Sequence, residues 1–282
     1  MALKTKKYAV IGHPIGHTMS PFIHKRLFAL SGIDAEYTAL DIAPQAFESE
    51  YAATLRQLDG YNITIPYKQR IIPLLDGLDA KAEMYGSVNT VHNCGGASRG
   101  YTTDPDGFLK ALEAAKIEIG GKIVILGCGG VARTMAYEIA LRDKPLCFAV
   151  REKSVDKAQT LCKEIMEKVA GAQASYVLAD DLSGKIDLLI NATPVGMFPH
   201  SDEQPVSDSV IAECAAVYDA IYNPLDTVLI QKARSNGAAA EGGMSMLVWQ
   251  AVVAHEKWDG SRYDKEDIAR LCADCAEELL RR

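Results

Sequence analysis

The 282-residue sequence contains no run that approaches the ~20 consecutive apolar residues needed to cross a bilayer, and no apolar core follows its basic N-terminal residues. It also lacks an excess of basic charge, because 30 Lys and Arg stand against 37 Asp and Glu for a net charge of −7. A mildly acidic chain gains nothing from the phosphate field of a nucleic acid. We therefore expect neither a membrane protein nor a nucleic-acid-binding protein.

Cysteines are few, and their number is odd. Seven cysteines in a long chain without a secretory leader favour reduced thiols and a cytoplasmic location. Cys272 and Cys275 form a C-x-x-C inside a helical pattern with no second pair, so we interpret them as helix thiols rather than a metal site. The remaining composition, 48% hydrophobic and 24% charged, is that of a globular enzyme, and the length suggests two domains.

Short apolar runs alternate with helical patterns in the first third of the chain. Strands are predicted at residues 8–11, 36–40 and 61–64, and helices at 20–30, at 44–58 and from Pro66 onwards. Ser20 is expected as an N-cap, since Pro21 suits the first helical position. Residues 88–92 and 98–101 flank a Gly-Gly turn, which predicts a hairpin. The alternation indicates an α/β layer with a mostly parallel sheet.

A second α/β unit begins near Gly121. Strands are predicted at residues 122–126, 146–150, 176–178, 187–191 and 216–219, and helices at 133–141, 244–258 and 265–280. The first of these strands runs into a glycine loop, Gly127-x-Gly129-x-x-Ala132, that opens a helix. In that context the loop predicts dinucleotide binding, because the glycines let backbone N–H groups and a helix N-terminus approach a pyrophosphate. The alternative is a glycine turn without a ligand.

The end of the next strand should distinguish the two nicotinamide dinucleotides. Its sequence is Arg151-Glu152-Lys153-Ser154. An acidic side chain there favours a free ribose diol, whereas Arg or Lys favours a 2′-phosphate. Both kinds are present, and a solvated charged turn is a further alternative.

Polar residues cluster at strand ends in the first unit. They are Thr18, Ser20, Asn62, Thr64, Lys68, Asn89 and Asp104. Taken singly, each has an ordinary explanation as a helix cap, a surface lysine or a turn residue. Taken together, they could converge on a small polyol at the sheet edge where ligands of α/β proteins bind. A lysine beside a carboxylate can also pass a proton to a carbonyl oxygen while hydride arrives from a nicotinamide.

Further motifs give the chain a close resemblance to the shikimate dehydrogenase family. The motifs are GSVNT at 86–90, GYTTDPDGF at 100–108, NATPVGM at 191–197, DAIYNP at 219–224 and MLVWQA at 246–251. The resemblance implies two α/β domains flanking a cleft, the second a Rossmann-type doubly wound parallel sheet. It assigns residues 1–104 and 244–282 to substrate binding and 105–243 to NAD(P) binding. The implied reaction is the reversible reduction of 3-dehydroshikimate to shikimate in aromatic amino acid (chorismate) biosynthesis.

The resemblance also implies roles for individual residues. Lys68 and Asp104 would form the catalytic pair. Substrate would be bound by Thr18, Ser20, Asn62, Thr64, Asn89, Tyr222 and Gln250. The cofactor pyrophosphate would lie against Gly127, Gly129, Gly130, Val131 and Ala132, with Arg151, Glu152 and Lys153 at the ribose end. The nicotinamide end would be lined by Asn191, Thr193, Met197 and Gly243, and no metal is implied.

Three departures from the family pattern bear on specificity. Thr18 stands where the family usually has serine, and Thr102 stands where it has asparagine. The Glu-Lys-Ser sequence at 152–154 replaces the Asn-Arg-Thr of NADP enzymes, so NADP is favoured with NAD as an alternative. An NAD-dependent quinate/shikimate dehydrogenase of quinate catabolism and a non-catalytic dinucleotide-binding paralogue remain as alternatives. Monomer and homodimer are both open.

Overall fold

The computed structural model describes residues 5–16 and 18–281. The chain divides into two compact units, the first comprising Met1–Asp106 with Val248–Arg282 and the second Gly107–Leu247. Each unit contains its own six-stranded sheet. The substrate and cofactor roles that the resemblance attaches to the two parts of the chain stay predictions at this stage.

The first unit is built on a mixed sheet. Its elements are β1 (Lys6–Gly12), α1 (Ser20–Ser31), β2 (Ala35–Asp41), α2 (Phe47–Ala53), β3 (Gly60–Ile63), β4 (Gly77–Leu78), α3 (Ala80–Tyr85), β5 (Thr90–Cys94) and β6 (Ala97–Tyr101). The helix α4 (Asp104–Ala115) begins in this unit and continues into the second from Gly107. The strand order is β2-β1-β3-β5-β6-β4. Strands β2, β1 and β3 are parallel, whereas β5 is antiparallel to both β3 and β6. The predicted hairpin is therefore confirmed, and it supplies the antiparallel part of the sheet.

The prediction of a helix beginning at Pro66 was wrong. Residues 65–71 form turns, followed by a 3-10 turn at Ile72–Leu74. The carbonyl of Lys68 accepts a hydrogen bond from the backbone N–H of Val88 at 2.8 Å. The N–H of Ile72, which a helix would direct to Lys68, donates instead to the carbonyl of Gln69 at 3.2 Å. Pro73 also lacks the N–H that a continuing helix would need. Lys68 thus lies in a turn tied to the neighbouring strand region.

Two other helix predictions need correction. The segment predicted as one helix over 44–58 is divided into 3-10 turns at Pro44–Ala46 and Leu55–Gln57 on either side of α2. The Asn93 amide donates to the carbonyls of Leu55 and Leu58 at 2.8 and 2.9 Å, which holds the last turn in its tight form. Ser20 is the first residue of α1 rather than its N-cap, since Met19 occupies the N-cap position and no side chain caps the helix.

The second unit is an all-parallel doubly wound sheet. Its elements are β7 (Ile123–Leu126), α5 (Gly130–Ala140), β8 (Leu146–Val150), α6 (Val155–Lys168), β9 (Ala174–Leu178), β10 (Ile186–Asn191), α7 (Asp208–Ala212), β11 (Cys214–Asp219), α8 (Val228–Ser235) and β12 (Ala239–Glu241). The strand order β12-β11-β10-β7-β8-β9 is that of a Rossmann fold. The predicted fold class is confirmed. The order reverses between β7 and β10, so the carboxyl ends of these two strands mark the expected ligand edge.

Two helices complete the chain, α9 (Met244–Trp258) and α10 (Lys265–Leu280). From Val248 onwards they belong to the first unit. Trp258 packs with Tyr8 and Phe28, and its indole N–H donates to the carbonyl of Val91 at 2.8 Å. This contact anchors α9 to the sheet and fixes the position of Gln250 within the unit. Among the described residues, no helix is both long and apolar enough to pass through a lipid bilayer.

Candidate active site

Lys68 and Asp104 form an ion pair in the first unit. The Lys68 Nζ lies 2.6 Å from Oδ2 of Asp104, and the two side chains retain 26% and 14% of their accessible surface. Lys68 lies in the turn after β3, and Asp104 is the first residue of α4, just beyond β6. The pair is therefore placed by the ends of β3 and β6, which flank β5 in the sheet, and it remains accessible. It offers a positive proton donor held by a carboxylate.

Asn89 orients the carboxylate of this pair. Its amide nitrogen donates to Oδ1 of Asp104 at 2.7 Å and to the Thr103 hydroxyl at 3.0 Å. Its amide oxygen accepts from the backbone N–H of Thr103 at 2.7 Å. The side-chain oxygen Oε1 of Gln250 lies 3.5 Å from both Nδ2 of Asn89 and Oγ1 of Thr103. Asn89, Asp104 and Gln250, three of the predicted site residues, thus lie close together.

Thr102 does not take part in holding Asp104. Its side chain is buried, and its hydroxyl has no hydrogen-bond partner within the described part of the chain. The family's asparagine at this position is thus replaced by a side chain that makes no hydrogen bond to the pair. Orientation of the carboxylate rests instead on Asn89 and Lys68.

The hydroxyls of Thr18 and Ser20 lie next to each other at the start of α1. Thr18 donates to Oγ of Ser20 at 3.1 Å. Nearby, Tyr37 on β2 donates to the amide oxygen of Asn62 at 2.7 Å. The side chain of Thr64 packs against Gly12, where an added Cβ would lie 2.5 Å from the threonine methyl. Absence of a side chain at Gly12 is therefore what allows the end of β1 and the residue after β3 to approach.

A cavity of about 220 Å³ lies at the carboxyl end of the second sheet. Gly127, Gly129, Arg151 and Thr193, all predicted cofactor residues, line it. An added Cβ on Gly129 or Gly130 would meet no atom of the described residues within 4 Å, so the loop leaves open space beside its backbone. This open space fits a pyrophosphate.

The N-terminus of α5 carries the partial positive charge of the helix dipole, and no side chain caps it. Its N-cap is Gly129, and the N–H groups of the first turn have no acceptor inside the helix. Arg133 is engaged elsewhere, because its guanidinium donates to both carboxylate oxygens of Glu164. Hydrogen bonds from Arg133 lower the pKa of Glu164 to about 2. The helix N-terminus is thus available to an anion.

The end of the cavity beside the carboxyl end of β8 is predominantly basic. Arg151, Ser154 and Lys157 line it, whereas Glu152 and Lys153 are exposed on the 3-10 turn that precedes α6. Burial raises the pKa of the Cys128 thiol, and the positive charge of Lys157 acts in the opposite direction. Of the described residues that line this end, two are cations and none is a carboxylate, which fits a 2′-phosphate better than a free diol.

Asn191 is held by hydrogen bonds at the end of β10. Its amide nitrogen donates to Oδ1 of Asp219 at 3.0 Å and to the carbonyl of Val195 at 3.3 Å, and its oxygen accepts from the Thr193 hydroxyl at 2.7 Å. Asp219 is fully buried and also accepts from Thr227 at 2.7 Å. Burial outweighs these hydrogen bonds and raises the pKa of Asp219 to about 6. The network fixes the loop that carries Thr193 and Met197.

The remaining predicted residues of the second unit lie on loops at the same sheet edge. Met197 is 45% exposed, and Tyr222 follows β11 by three positions. Gly243 packs on the backbone of Ala220, where an added Cβ would come within 2.2 Å of the carbonyl oxygen. Its backbone N–H donates to the carbonyl of Ile221 at 2.9 Å. Gly243 therefore fixes the loop that carries Tyr222. Within residues 5–16 and 18–281, no group of three His, Cys, Asp or Glu side chains could hold a metal.

Known proteins are similar to this chain over most of its length. The sequence profile described as the shikimate dehydrogenase substrate binding domain matches residues 10–91. The chain is 36% identical over 269 residues to the shikimate dehydrogenase (NADP(+)) of Caldanaerobacter subterraneus subsp. tengcongensis, covering 94% of this chain and 95% of that protein. The chain belongs to the shikimate dehydrogenase family.

Solved structures of similar proteins share the whole fold. The shikimate 5-dehydrogenase of Thermus thermophilus in complex with NADP(H) and shikimate superposes with a TM-score of 0.86 at 29% identity, covering 96% of this chain and 100% of that chain. The ligand-free 5-ketofructose reductase of Gluconobacter sp. strain CHM43 gives 0.83 at 28% identity, covering 96% and 99%. Because a shikimate dehydrogenase and a ketofructose reductase share this fold, substrate choice rests on side chains.

Several residues of the candidate site fall outside the set predicted from the sequence. One is Lys157, which lies three positions after Ser154 and one turn along α6 from the charged residues. The others are Tyr37, Thr103 and Asp219, and each of them contacts predicted residues that are distant in sequence. Only the spacing of Lys157 gave a signal that could be found in the sequence.

Proposed function

We propose that this protein catalyses the reversible, NADP-dependent reduction of 3-dehydroshikimate to shikimate. The observation that carries the proposal is the Lys68–Asp104 ion pair, oriented by Asn89, in a chain of the shikimate dehydrogenase family. In this role the first unit binds the substrate and the second unit binds the cofactor. The reaction supplies shikimate to aromatic amino acid biosynthesis.

Lys68 serves as the proton donor in the reductive direction. The nicotinamide, when bound, supplies hydride to the ring ketone. The ammonium of Lys68 stabilises the negative charge that develops on the ketone oxygen and transfers a proton to it. Asp104 keeps the lysine in position, and Asn89 keeps the carboxylate from turning away. In the oxidative direction Lys68 accepts the hydroxyl proton.

Seven polar residues are assigned to the substrate. We assign its carboxylate and ring hydroxyls to Thr18, Ser20, Asn62, Thr64, Asn89, Tyr222 and Gln250. The amides of Asn62 and Asn89 are already engaged with neighbouring side chains, which supports an orienting role for these two. Hydroxyls can turn their hydrogens towards an arriving anion while their oxygens stay in place, which suits Thr18 and Ser20 to the carboxylate.

The glycine loop and its neighbours are assigned to the cofactor. Gly127, Gly129, Gly130, Val131 and Ala132 would hold the pyrophosphate, and Asn191, Thr193, Met197 and Gly243 would shape the nicotinamide end. Arg151 and Lys157 support NADP over NAD because both line the cavity, while Glu152 lies outside it. Relatives named as NADP(+) enzymes support the same choice. A cytoplasmic location and the choice between monomer and homodimer stay predictions.

A matrix of initial rates tests the proposal. Shikimate and quinate are each oxidised with NADP and with NAD at mildly alkaline pH. We expect turnover with shikimate and NADP to exceed the other three combinations. Preference for quinate with NAD would contradict the biosynthetic assignment and favour the catabolic relative. Cofactor binding without turnover in any combination would favour a non-catalytic paralogue.

A further inference from the structure

Thr90 lies between two amide side chains of the candidate substrate site. It is the first residue of β5, and in the sheet register it is paired with Asn62 on β3. Asn89 precedes it in the chain, and the backbone N–H of Asn89 donates to the carbonyl of Tyr101 at 3.0 Å. Thr90 is fully buried, with 0% of its surface exposed. A side chain without accessible surface acts on a ligand only through its neighbours.

The Thr90 hydroxyl accepts one hydrogen bond and donates another. The amide nitrogen of Asn62 donates to Oγ1 of Thr90 at 3.0 Å. A hydroxyl has a single hydrogen, and that of Thr90 is donated to the amide oxygen of Asn89 at 3.2 Å. The Thr103 hydroxyl lies 3.4 Å from Oγ1 of Thr90. Thr90 therefore joins two of the residues assigned to the substrate.

The orientation of the Asn62 amide depends on Thr90. The amide oxygen of Asn62 accepts from the Tyr37 hydroxyl at 2.7 Å, so the nitrogen end must be fixed by other groups. Apart from Thr90, the acceptor for this nitrogen among the described residues is the backbone carbonyl of Asn89, at the long distance of 3.4 Å. Loss of the Thr90 hydroxyl would therefore leave the amide nitrogen with one weak partner, and the amide could rotate.

Asn89 is held more firmly, because three of its contacts do not involve Thr90. Its amide nitrogen donates to Asp104 at 2.7 Å and to the Thr103 hydroxyl at 3.0 Å. Its amide oxygen also accepts from the Thr103 backbone N–H at 2.7 Å. The carboxylate of the Lys68–Asp104 pair therefore keeps its partner when the Thr90 hydroxyl is removed. The two amides thus differ in how far they depend on Thr90.

We propose that Thr90 is a positioning residue for the substrate, because its hydroxyl fixes the amide of Asn62 before the substrate binds. The proposal rests on the function proposed above, in which Asn62 is a substrate residue. An amide whose two ends are already fixed needs no ordering when the substrate arrives, so less binding free energy is lost. Because Asn89 keeps its other contacts, removal of the Thr90 hydroxyl should weaken shikimate binding more than it slows the chemical step.

Thr90→Val and Thr90→Ser together test the proposal. Valine has the shape of threonine without the hydroxyl, whereas serine keeps the hydroxyl and loses the methyl group. In Thr90→Val we expect the KM for shikimate to rise about tenfold, with kcat and the KM for NADP within about twofold of wild type. Thr90→Ser should keep the shikimate KM within about threefold of wild type. A purely structural role of the hydroxyl would not change the KM for one substrate alone.

Thr54→Val is the matched control for loss of a threonine hydroxyl elsewhere in the unit. The Thr54 hydroxyl donates to Oε2 of Glu50 at 2.6 Å, at the end of α2. This variant should match wild type in all three constants. An equal rise in the shikimate KM in Thr90→Val and in either Thr54→Val or Thr90→Ser would overturn the proposal. An unchanged shikimate KM in Thr90→Val would also overturn it, as would an equal rise in the KM for NADP.

A double-mutant comparison tests the route of the effect. If Thr90 acts through Asn62, the Thr90→Val change should have little further effect on the shikimate KM once Asn62→Ala is present. Effects that multiply fully would mean that the hydroxyl acts by another route, and they would overturn the proposal.

Two further outcomes separate this inference from the proposed function. A wild-type protein that does not oxidise shikimate with NADP overturns both, whereas an active wild type with a Thr90→Val variant of equal KM overturns only the inference. Should Thr90→Val fail to fold, Thr90→Ala removes the same hydroxyl without adding a second methyl group. The same selective rise in the shikimate KM is then expected, and an unchanged KM overturns the proposal.

Discussion

The ammonium of Lys68 and the carboxylate of Asp104 meet at 2.6 Å although the two residues are 36 positions apart in the chain. The turn after β3 carries the lysine, and the residue that opens α4 carries the carboxylate. An ion pair that keeps this much exposure adds little to stability. Its placement among Asn89, Thr103 and Gln250 is therefore better explained by chemistry than by folding.

Replacing Lys68 should remove the proton donor and leave the fold intact. We expect Lys68→Ala to lower kcat for shikimate oxidation by on the order of 10²–10⁴ while the substrate still binds. Steady-state kinetics with calorimetric measurement of shikimate binding checks this. Lys81 pairs with Asp106 at 2.7 Å with comparable exposure, so Lys81→Ala is the matched control and should keep wild-type kcat. Retained turnover in Lys68→Ala with weaker binding would make Lys68 a substrate ligand instead.

Replacing Gly129 should weaken cofactor binding without affecting folding. An alanine Cβ at this position would meet no atom of the described residues within 4 Å, and its φ of −79° suits any residue. It would occupy the space where the backbone meets the pyrophosphate, so we expect the KM for NADP to rise about tenfold or more with little change in Tm. Gly120→Ala, equally free of contacts but outside the loop, should leave both quantities unchanged. An unchanged KM in Gly129→Ala would contradict the placement of the cofactor.

Much of the fold could be predicted from the sequence because its strands are short apolar runs bounded by glycine or polar residues. The strand at Leu146–Val150 and the helices at Met244–Trp258 and Lys265–Leu280 match the prediction residue for residue. The prediction of a helix from Pro66 is wrong because a tertiary contact, the hydrogen bond from the Val88 N–H to the Lys68 carbonyl, holds this segment in a turn. No local pattern contains that information.

Some residues of the candidate site could likewise be predicted from the sequence, and others could not. Residues at strand ends, such as Asn89 and Asp104, could be predicted because parallel strands bring their carboxyl ends to one edge. The contact between Tyr37 and Asn62 could not, because it depends on a register that places β2 and β3 on opposite sides of β1. Asp219 escaped for a similar reason, since its partners Asn191 and Thr227 come from other elements.

Lys157 should favour NADP over NAD. It lines the basic end of the cavity on the first turn of α6, where its charge can meet a 2′-phosphate. We expect Lys157→Ala to raise the KM for NADP about tenfold while changing the KM for NAD by less than about twofold. Lys163→Ala removes an exposed lysine from the same helix and should change neither constant. Equal increases for both cofactors would assign Lys157 to a part of the cofactor that they share.

Asp219 should make the protein less stable as the pH rises. Burial raises its folded-state pKa to about 6 from its usual value of 3.8, so the folded state keeps a proton that the unfolded state loses between these values. Asp219→Asn is neutral at every pH and retains an oxygen for Asn191 and the Ile221 N–H. We therefore expect the free energy of unfolding of the variant, minus that of wild type, to increase by about 1 kcal/mol between about pH 5 and about pH 8. Over the whole titration of Asp219 this difference should increase by about 3 kcal/mol.

Urea unfolding of both proteins across this range measures the gain, and Asp208→Asn provides the control. The Asp208 carboxyl is exposed, and a hydrogen bond from Lys232 lowers its pKa, so it is ionised in both states throughout this range. The difference between Asp208→Asn and wild type should therefore be constant with pH. Asp219 joins the ends of β10 and β11. If the difference in free energy of unfolding between Asp219→Asn and wild type were also constant with pH, the Asp219 carboxylate would be stabilised in the folded protein as fully as in water.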